Sequence, residues 1–497
     1  MSETAQTETV AFLSRSAEEH LTTHASHVFL AGDRALKLKR AVKYPYLDFS
    51  TPALRRAACE TELALNRRTA PALYLAVKPV TRAPDGSLAI DGQGEAVDWL
   101  VEMRRFPDDA LFTRLAETGA LTPDLMRRLA DGIAAFHRTA EVTPDFGGTR
   151  GVDDVIAING ASLRRDGPPG IAVEAADALA DAARRARDRH AALLERRRAA
   201  GKVKRCHGDL HLGNICLIDG VPTLFDCIEF NDGLASIDVL YDLAFLLMDL
   251  RFRGHATEAA IVFNRYFDVG DESDGLALMP LFLALRAWVR AHVTATAAKL
   301  DASAEKAVLA RRYFDFAVDL LRPAPPRLIA LGGISGTGKS TVAAILAGRA
   351  SARVLRSDVI RKRRFGVAPE TRLPDGAYAS DVTTEVYAAL LDQARAALAA
   401  GCSTIIDAVS ARPAERAAFA ALARDLRVPF TGIWLEASPE ILTARVAARR
   451  NDASDADLAI LRKQLGYDLG PMDWRRVDAA PSAEHVADAI LEAGVGR

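Results

Sequence analysis

Apolar residues alternate early in the chain and later recur at helical spacing. Val28-Phe29-Leu30 and Ala35-Leu36-Lys37-Leu38 flank Gly32-Asp33-Arg34, which predicts two strands joined by a turn. Leu54 to Arg68 has helical spacing, and Asp98 to Phe106 predicts a further strand. From Leu125 to His137, from Glu174 to Ala200 and from Ile237 onward, Ala, Leu and Arg recur at i, i+3 and i+4. A small mixed lobe is therefore expected ahead of a helical one.

Prolines at 323, 325 and 326 interrupt that pattern and cannot continue a helix, so residues 323–326 predict a short stiff linker. The expected domains are 1–322 and 327–497. Past the linker, Leu328 to Leu331 predicts a buried strand and Val342-Ala343-Ala344 a helix. Val354 to Asp358 and Thr404 to Asp407 predict strands that end in acids, and Leu442 to Arg450 predicts a late helix.

A chain of 497 residues exceeds one ordinary core, and 49% hydrophobic with 26% charged residues is globular composition. The net charge of −1 gives no global attraction to nucleic acid or anionic membranes. Ala175 to Arg198 is basic, but its charges alternate with acids as on a solvated helix face. Cys59, Cys206, Cys216, Cys227 and Cys402 form no CxxC pair, so reduced thiols are expected. The stretch up to Glu19 lacks the order of a signal peptide. Leu276 to Leu285, the most apolar run, contains Pro280 and meets Arg286 and Arg290. A cytoplasmic protein is expected, and no pattern bears on its oligomeric state.

Two sets of residues carry chemistry. The first is His207-Gly208-Asp209-Leu210-His211-Leu212-Gly213-Asn214, with Asp226 closing Leu224-Phe225-Asp226. Phosphoryl transfer needs an oriented acceptor and metal-held phosphates. Asp209 suits the catalytic role at the acceptor, and Asn214 and Asp226 suit a metal. These residues resemble the catalytic loop and metal pair of the aminoglycoside phosphotransferase family, a branch of the protein-kinase-like fold, over roughly residues 20–320. The resemblance implies that Lys37 pairs with ATP phosphates, or Lys39 on the same face, with Glu62 or Glu60 as ion-pair partner. Val101-Glu102-Met103 reads as an adenine hinge or as a plain core strand. No GxGxxG precedes Lys37, so a Gly-rich lid is not evident. Glu229, Asp232, Asp238 and Asp242 read either as an acidic rim for a cationic amine or as acids on an exposed face.

The second set is a full P-loop, Gly333-Ile334-Ser335-Gly336-Thr337-Gly338-Lys339-Ser340, followed by Thr341. Its backbone N–H groups from Gly336 through Thr337 and Gly338 to Lys339 suit phosphate oxygens at a helix start, and Gly333, Ser335 and Thr341 count with them as nucleotide-binding residues. Lys339 suits β/γ charge, and Ser340 with Asp407 suits Mg²⁺. Asp358 is the candidate base, with Arg361 as a substrate or phosphate contact; capping the next helix is the alternative role of Asp358. Arg445 and Arg449 look like the lid of small nucleoside-type kinases closing over the phosphates, or are basic residues of an ordinary solvated helix. This half resembles P-loop small-molecule kinases such as gluconate and shikimate kinases, and also polynucleotide 5′-kinases and zeta-type toxins.

The order of the halves resembles a bacterial type that fuses an aminoglycoside phosphotransferase-like domain to a P-loop kinase domain. That implies an α+β bilobal protein-kinase-like domain followed by an α/β P-loop NTPase domain, whose parallel sheet is flanked by helices. It also implies a kinase using ATP and Mg²⁺, with two nucleotide sites and hydroxyl groups of an unidentified small molecule as acceptor. Neither nucleic acid nor membrane is expected as a partner. Two alternatives stay open: a regulatory ATP-binding protein with one active half, and a P-loop half that phosphorylates nucleic-acid ends through Arg361 to Arg364.

Overall fold

Strand alternation in the first hundred residues builds one antiparallel sheet. Its strands are β1 (Glu19–Thr22), β2 (Ser26–Ala31), β3 (Arg34–Lys39), β4 (Tyr74–Arg82), β5 (Leu88–Ile90) and β6 (Glu95–Arg104), in the order β1-β2-β3-β6-β4-β5. Alternation along β3 sends Leu36 and Leu38 into one core and Ala35 into another that contains Cys59 of helix α1 (Pro52–Asn66). Lys37 and Lys39 share the parity of Ala35, so both face α1. Thr51 accepts a hydrogen bond from the Leu54 N–H and Pro52 opens the helix, which fixes where α1 begins. This is a computed structural model, and it describes residues 6–492 apart from 24, 45, 46, 168–170, 271, 323, 450 and 451. Pro323 of the expected linker and Arg450 of the expected lid helix lie outside the described residues.

Helices follow, among them Pro123–Thr139 and Gly148–Asp166. The expected helix from Glu174 to Ala200 is two, Val173–Arg189 and Ala191–Ala199, interrupted at His190. A hairpin of β7 (Ile215–Ile218) and β8 (Val221–Leu224) carries the chain from the His207 loop to Asp226. Helix α2 (Val239–Phe252) is buried on every side from Val239 to Leu250, as an apolar core helix should be.

Helices α3 (Ala256–Val269) and α4 (Met279–Leu300) come next. One compact unit takes the residues up to Phe252 together with Leu281–Leu321; the other takes Arg253–Pro280 together with the residues from Arg322. Residues 253–280, counted with the first domain on sequence alone, thus group with the unit that holds the P-loop. The helix Ser273–Leu300 is long and apolar enough to cross a membrane, but 67% of its most apolar window is buried inside the protein.

The second unit holds a five-stranded parallel sheet: β9 (Leu328–Gly332), β10 (Arg353–Arg356), β11 (Thr404–Asp407), β12 (Phe430–Glu436) and β13 (Arg475–Asp478), in the order β10-β11-β9-β12-β13. Its inner strands read as unbroken apolar runs because both faces are covered. Ile329, Leu331, Ile405 and Leu435 pack on one face with Leu346, while Leu328, Ala330, Ile406 and Trp434 pack on the other with Phe419. Helix α5 (Lys339–Ala350) leaves the P-loop and α6 (Ser357–Arg364) follows β10. Helix α7 (Pro439–Ala448) stops short of Arg449, whose backbone is extended.

Candidate functional site

In the first unit, backbone bonds join the His207 loop to the segment around Asp226. The Phe225 N–H donates to the Asn214 carbonyl at 3.0 Å and the Ile228 N–H to the His207 carbonyl at 3.0 Å. The His207 ring nitrogen Nε2 lies 2.9 Å from the Phe225 carbonyl. Asp209, Asn214 and Asp226 are brought together by these bonds. Asn214 Nδ2 donates to the Asp209 carboxylate at 2.9 Å. Asp226 has φ of +63°, an uncommon backbone for a residue with a side chain, and its N–H is held by the Tyr74 hydroxyl at 3.2 Å.

Lysines from β3 complete this arrangement. Lys37 Nζ lies 2.8 Å from Glu62 Oε1 and 2.6 Å from Asp226 Oδ1, and Lys39 Nζ lies 2.5 Å from Glu62 Oε2 and also pairs with Glu229. Both lysines therefore meet Glu62, while Glu60 pairs with Arg56 at the surface. Burial opposes the charge on Lys37, but Asp226 and Glu62 outweigh it and hold its pKa well above the ordinary value. Burial likewise opposes the Glu62 carboxylate, yet Lys37 and Lys39 bring it down to about 2. Asp209 is held low against burial mainly by His211, with Arg290 and His207 adding to it. Val101 to Met103 lie inside β6, bonded on both sides to β3 and β4, so the plain core strand is what forms there.

The four acids after Asp226 form neither a rim nor an exposed face. Asp242 is buried and accepts the N–H groups of His207 at 3.1 Å and Gly208 at 2.9 Å, and it lies 3.0 Å from His137 Nε2. Asp238 is buried against Arg197 at 2.8 and 2.9 Å, and Glu229 is paired with Lys39. Asp232 is exposed and paired with Arg205 at 2.7 Å. Buried carboxylates need partners, and three of these have found them within the fold.

In the second unit the P-loop lies between β9 and α5. Gly336 and Gly338 have φ of +87° and +83°, and Gly333 has +139° where a Cβ would fall 2.6 Å from the Leu435 carbonyl. Only glycine fits such positions without strain. Ser335, Gly336, Thr337, Gly338 and Thr341 line a cavity of about 990 Å³, together with Lys339, Ser340, Asp358, Asp407, Arg445 and Arg449. Ser340 Oγ donates to Asp407 Oδ2 at 2.6 Å, and Lys339 Nζ donates to the Gly333 carbonyl at 2.7 Å. Burial lowers the pKa of Lys339, against the pull of Asp407 and Asp358. Burial raises that of Asp358; Asp407 and Asp452 add to the rise and Arg356 opposes it. Helix α6 starts without a side-chain cap.

Arg356 is the residue sequence reasoning missed. It lies 3.2 Å from Asp407 and 3.1 Å from Asp452, so it ties the Ser340 partner to the segment after α7. A charged residue closing a buried strand just ahead of Asp358 is the signal that could have found it. Arg361 and Lys362 are buried, Arg361 on the Ala377 carbonyl at 2.6 Å and Lys362 on Asp455, and Arg364 pairs with Glu385. The run Arg361 to Arg364 is therefore no continuous basic strip. Asp455 also accepts the Tyr378 hydroxyl at 2.5 Å and the Leu373 N–H at 2.9 Å, which fastens down the acidic stretch after Arg449.

The profile of the phosphotransferase enzyme family matches residues 38–279, and a profile described as AAA domain matches residues 328–467. Uncharacterized proteins of Mycobacterium bovis and Mycobacterium tuberculosis are 30% identical over 477 residues, covering 93% of this chain and 92% of theirs. Among solved structures, a choline/ethanolamine kinase family protein from Mesorhizobium loti is 14% identical with a TM-score of 0.38, over 63% of this chain and 95% of its own. A gluconokinase from Sinorhizobium meliloti is 21% identical with a TM-score of 0.26, over 34% of this chain and 92% of its own.

Proposed function

The chain belongs to a family that joins a phosphotransferase domain of protein-kinase-like fold to a P-loop kinase-like domain, and from that premise we propose that it moves the γ-phosphate of ATP to hydroxyl groups of small molecules at two sites. One observation carries this. Each unit sets a lysine among the oxygen groups that phosphoryl transfer requires: Lys37 with Asp226 at 2.6 Å, and Lys339 beside the Ser340–Asp407 pair at 2.6 Å.

The donor sets, an amide with a carboxylate and a hydroxyl with a carboxylate, are the hard oxygen ligands that Mg²⁺ takes. Asn214 and Asp226 would hold it in the first site and Ser340 and Asp407 in the second, where it supplies charge neutralisation at the phosphates. Lys37, kept in place by Glu62, pairs with ATP phosphates in one site. Lys339 and the loop N–H groups do so in the other, with Arg445 and Arg449 closing over them. Asp209, kept ionised beside His211, orients the acceptor hydroxyl and takes its proton. Asp358 takes the corresponding proton at the P-loop site; its raised pKa brings it nearer to neutral, where a general base works best.

For the first site we take the acceptor to be neutral or anionic. The acids that would attract a cationic amine are engaged in internal pairs, and the cation Arg290 acts on Asp209. The experiment is ADP release by the full-length chain against separate pools of polyols, sugar acids and cationic amines. Asp209→Asn and Lys339→Ala are each expected to remove one acceptor-dependent activity by about a hundredfold or more. Activity with polyols or acids that survives in both variants would overturn the two-site assignment. Turnover of the amine pool through Asp209 would overturn the acceptor class alone.

A further inference from the structure

Helix α3 lies in sequence between α2 and α4, yet it is built into the P-loop unit. It meets that unit at two places. At α5, a Cβ on Gly348 would fall 2.8 Å from the Ala256 backbone, so only glycine permits this approach. At β10, Asn264 Oδ1 accepts the Val354 N–H at 2.7 Å and Arg353 Nη1 at 2.9 Å, and Asn264 Nδ2 donates to the Ala352 carbonyl at 3.3 Å. Arg353 Nη2 reaches Asp268 at 2.5 Å. Asn264 and Arg353 are both buried.

β10 is an edge strand bonded only to β11, so its outer N–H groups need another partner. Asn264 is that partner for Val354. Two residues further on is Arg356, which holds Asp407 and Asp452, and two beyond that is Asp358. The elements gripped by α3 are thus the helix that starts at Lys339 and the strand that ends at Arg356 and leads into Asp358, and Lys339 and Asp358 both line the cavity.

We propose that Asn264 and Asp268 are positioning residues of the P-loop site, acting through Arg353 and the Val354 N–H to set the register at which β10 delivers Arg356 and Asp358. Neither touches the cavity. The proposal rests on the reading of that cavity as an ATP site. It assigns residues from the first half of the chain to the work of the second half.

The test is calorimetric titration of the full-length chain with Mg²⁺ and a non-hydrolysable ATP analogue. Wild type is expected to show two sites, one of them removed by Lys339→Ala. Asn264→Ala should weaken the Lys339-dependent site about tenfold, the equivalent of one hydrogen-bonded contact, and leave the other unchanged. Asn264→Asp keeps the acceptor for Val354 and Arg353, so it should recover to within about threefold of wild type. Should Asn264→Ala fail to fold, Asp268→Asn is expected to weaken the same site about threefold. Wild-type affinity in these variants, or an equal fall at both sites, overturns the proposal alone. Absence of any Lys339-dependent binding overturns the ATP reading and the proposal together.

Discussion

Glu62 stands between two lysines, and with Asp226 and Glu229 it keeps them charged where burial opposes it. Period two along β3 already placed Lys37 and Lys39 on one face in the sequence. It could not choose between Glu60 and Glu62, because residues two apart on a helix point roughly 200° apart and the rotation of α1 is set by packing. Glu62 has an ordinary pKa of 4.5 and is held at about 2 in the fold. A depressed carboxylate contributes stability above its unfolded pKa and loses that contribution as pH falls through the folded one. The window here runs from 4.5 down to about 2. Glu62→Gln is therefore expected to cost about 3 kcal/mol at pH 7, the range for breaking a buried ion pair, and visibly less at pH 3. Urea unfolding of the first unit at the two pH values measures this. An identical cost at both would mean that the Glu62 charge does not hold the lysines.

At the scale of elements, α2 does what the sequence assigned to a surface. Asp242 and Asp249 are the acids in a helix otherwise apolar from Val239 to Leu250, and they lie seven residues apart on one face. Asp242 accepts His207 and Gly208, and Asp249 accepts the Leu212 N–H at 3.1 Å, so one helix face holds the Asp209 loop from both ends. From sequence, Asp242 reads as a rim or surface acid and Asp249 does not stand out. Their partners are not legible, since nothing local to residues 239–250 says which backbone N–H groups lie across from them. Hydrogen bonds to a charged acceptor are worth about 1.5–3 kcal/mol each. Asp242→Asn is expected to lower kcat of the Asp209-dependent activity about tenfold or more, with KM for ATP changed less than about threefold. Steady-state kinetics of both parameters checks it. A change confined to KM would place Asp242 in nucleotide binding instead of loop positioning.

For the whole molecule, the P-loop and the His207 loop each announced a fold, because each is a contiguous string whose spacing is dictated by phosphate chemistry. The prolines at 325 and 326 likewise stood out. What stayed hidden is that 253–280 packs with the residues beyond the linker, because helical spacing reports an apolar face and not the core that receives it. Ala260 joins the core beside Leu346 and Ile405, and Asn264 closes the edge of β10. A fragment of residues 327–497 alone loses these contacts and leaves Arg353 without Asn264 or Asp268. Three such hydrogen bonds amount to about 3 kcal/mol, or roughly 10 °C in Tm for a unit of this size. Residues 253–280 joined by a flexible linker to 327–497 should melt higher than 327–497 by about that amount. The shift should shrink when the joined fragment carries Asn264→Ala together with Asp268→Ala, leaving what the Ala260 packing contributes, because the stabilisation comes from named contacts and not from added length. Equal Tm values for the joined and bare fragments would show that the parallel sheet completes itself without α3.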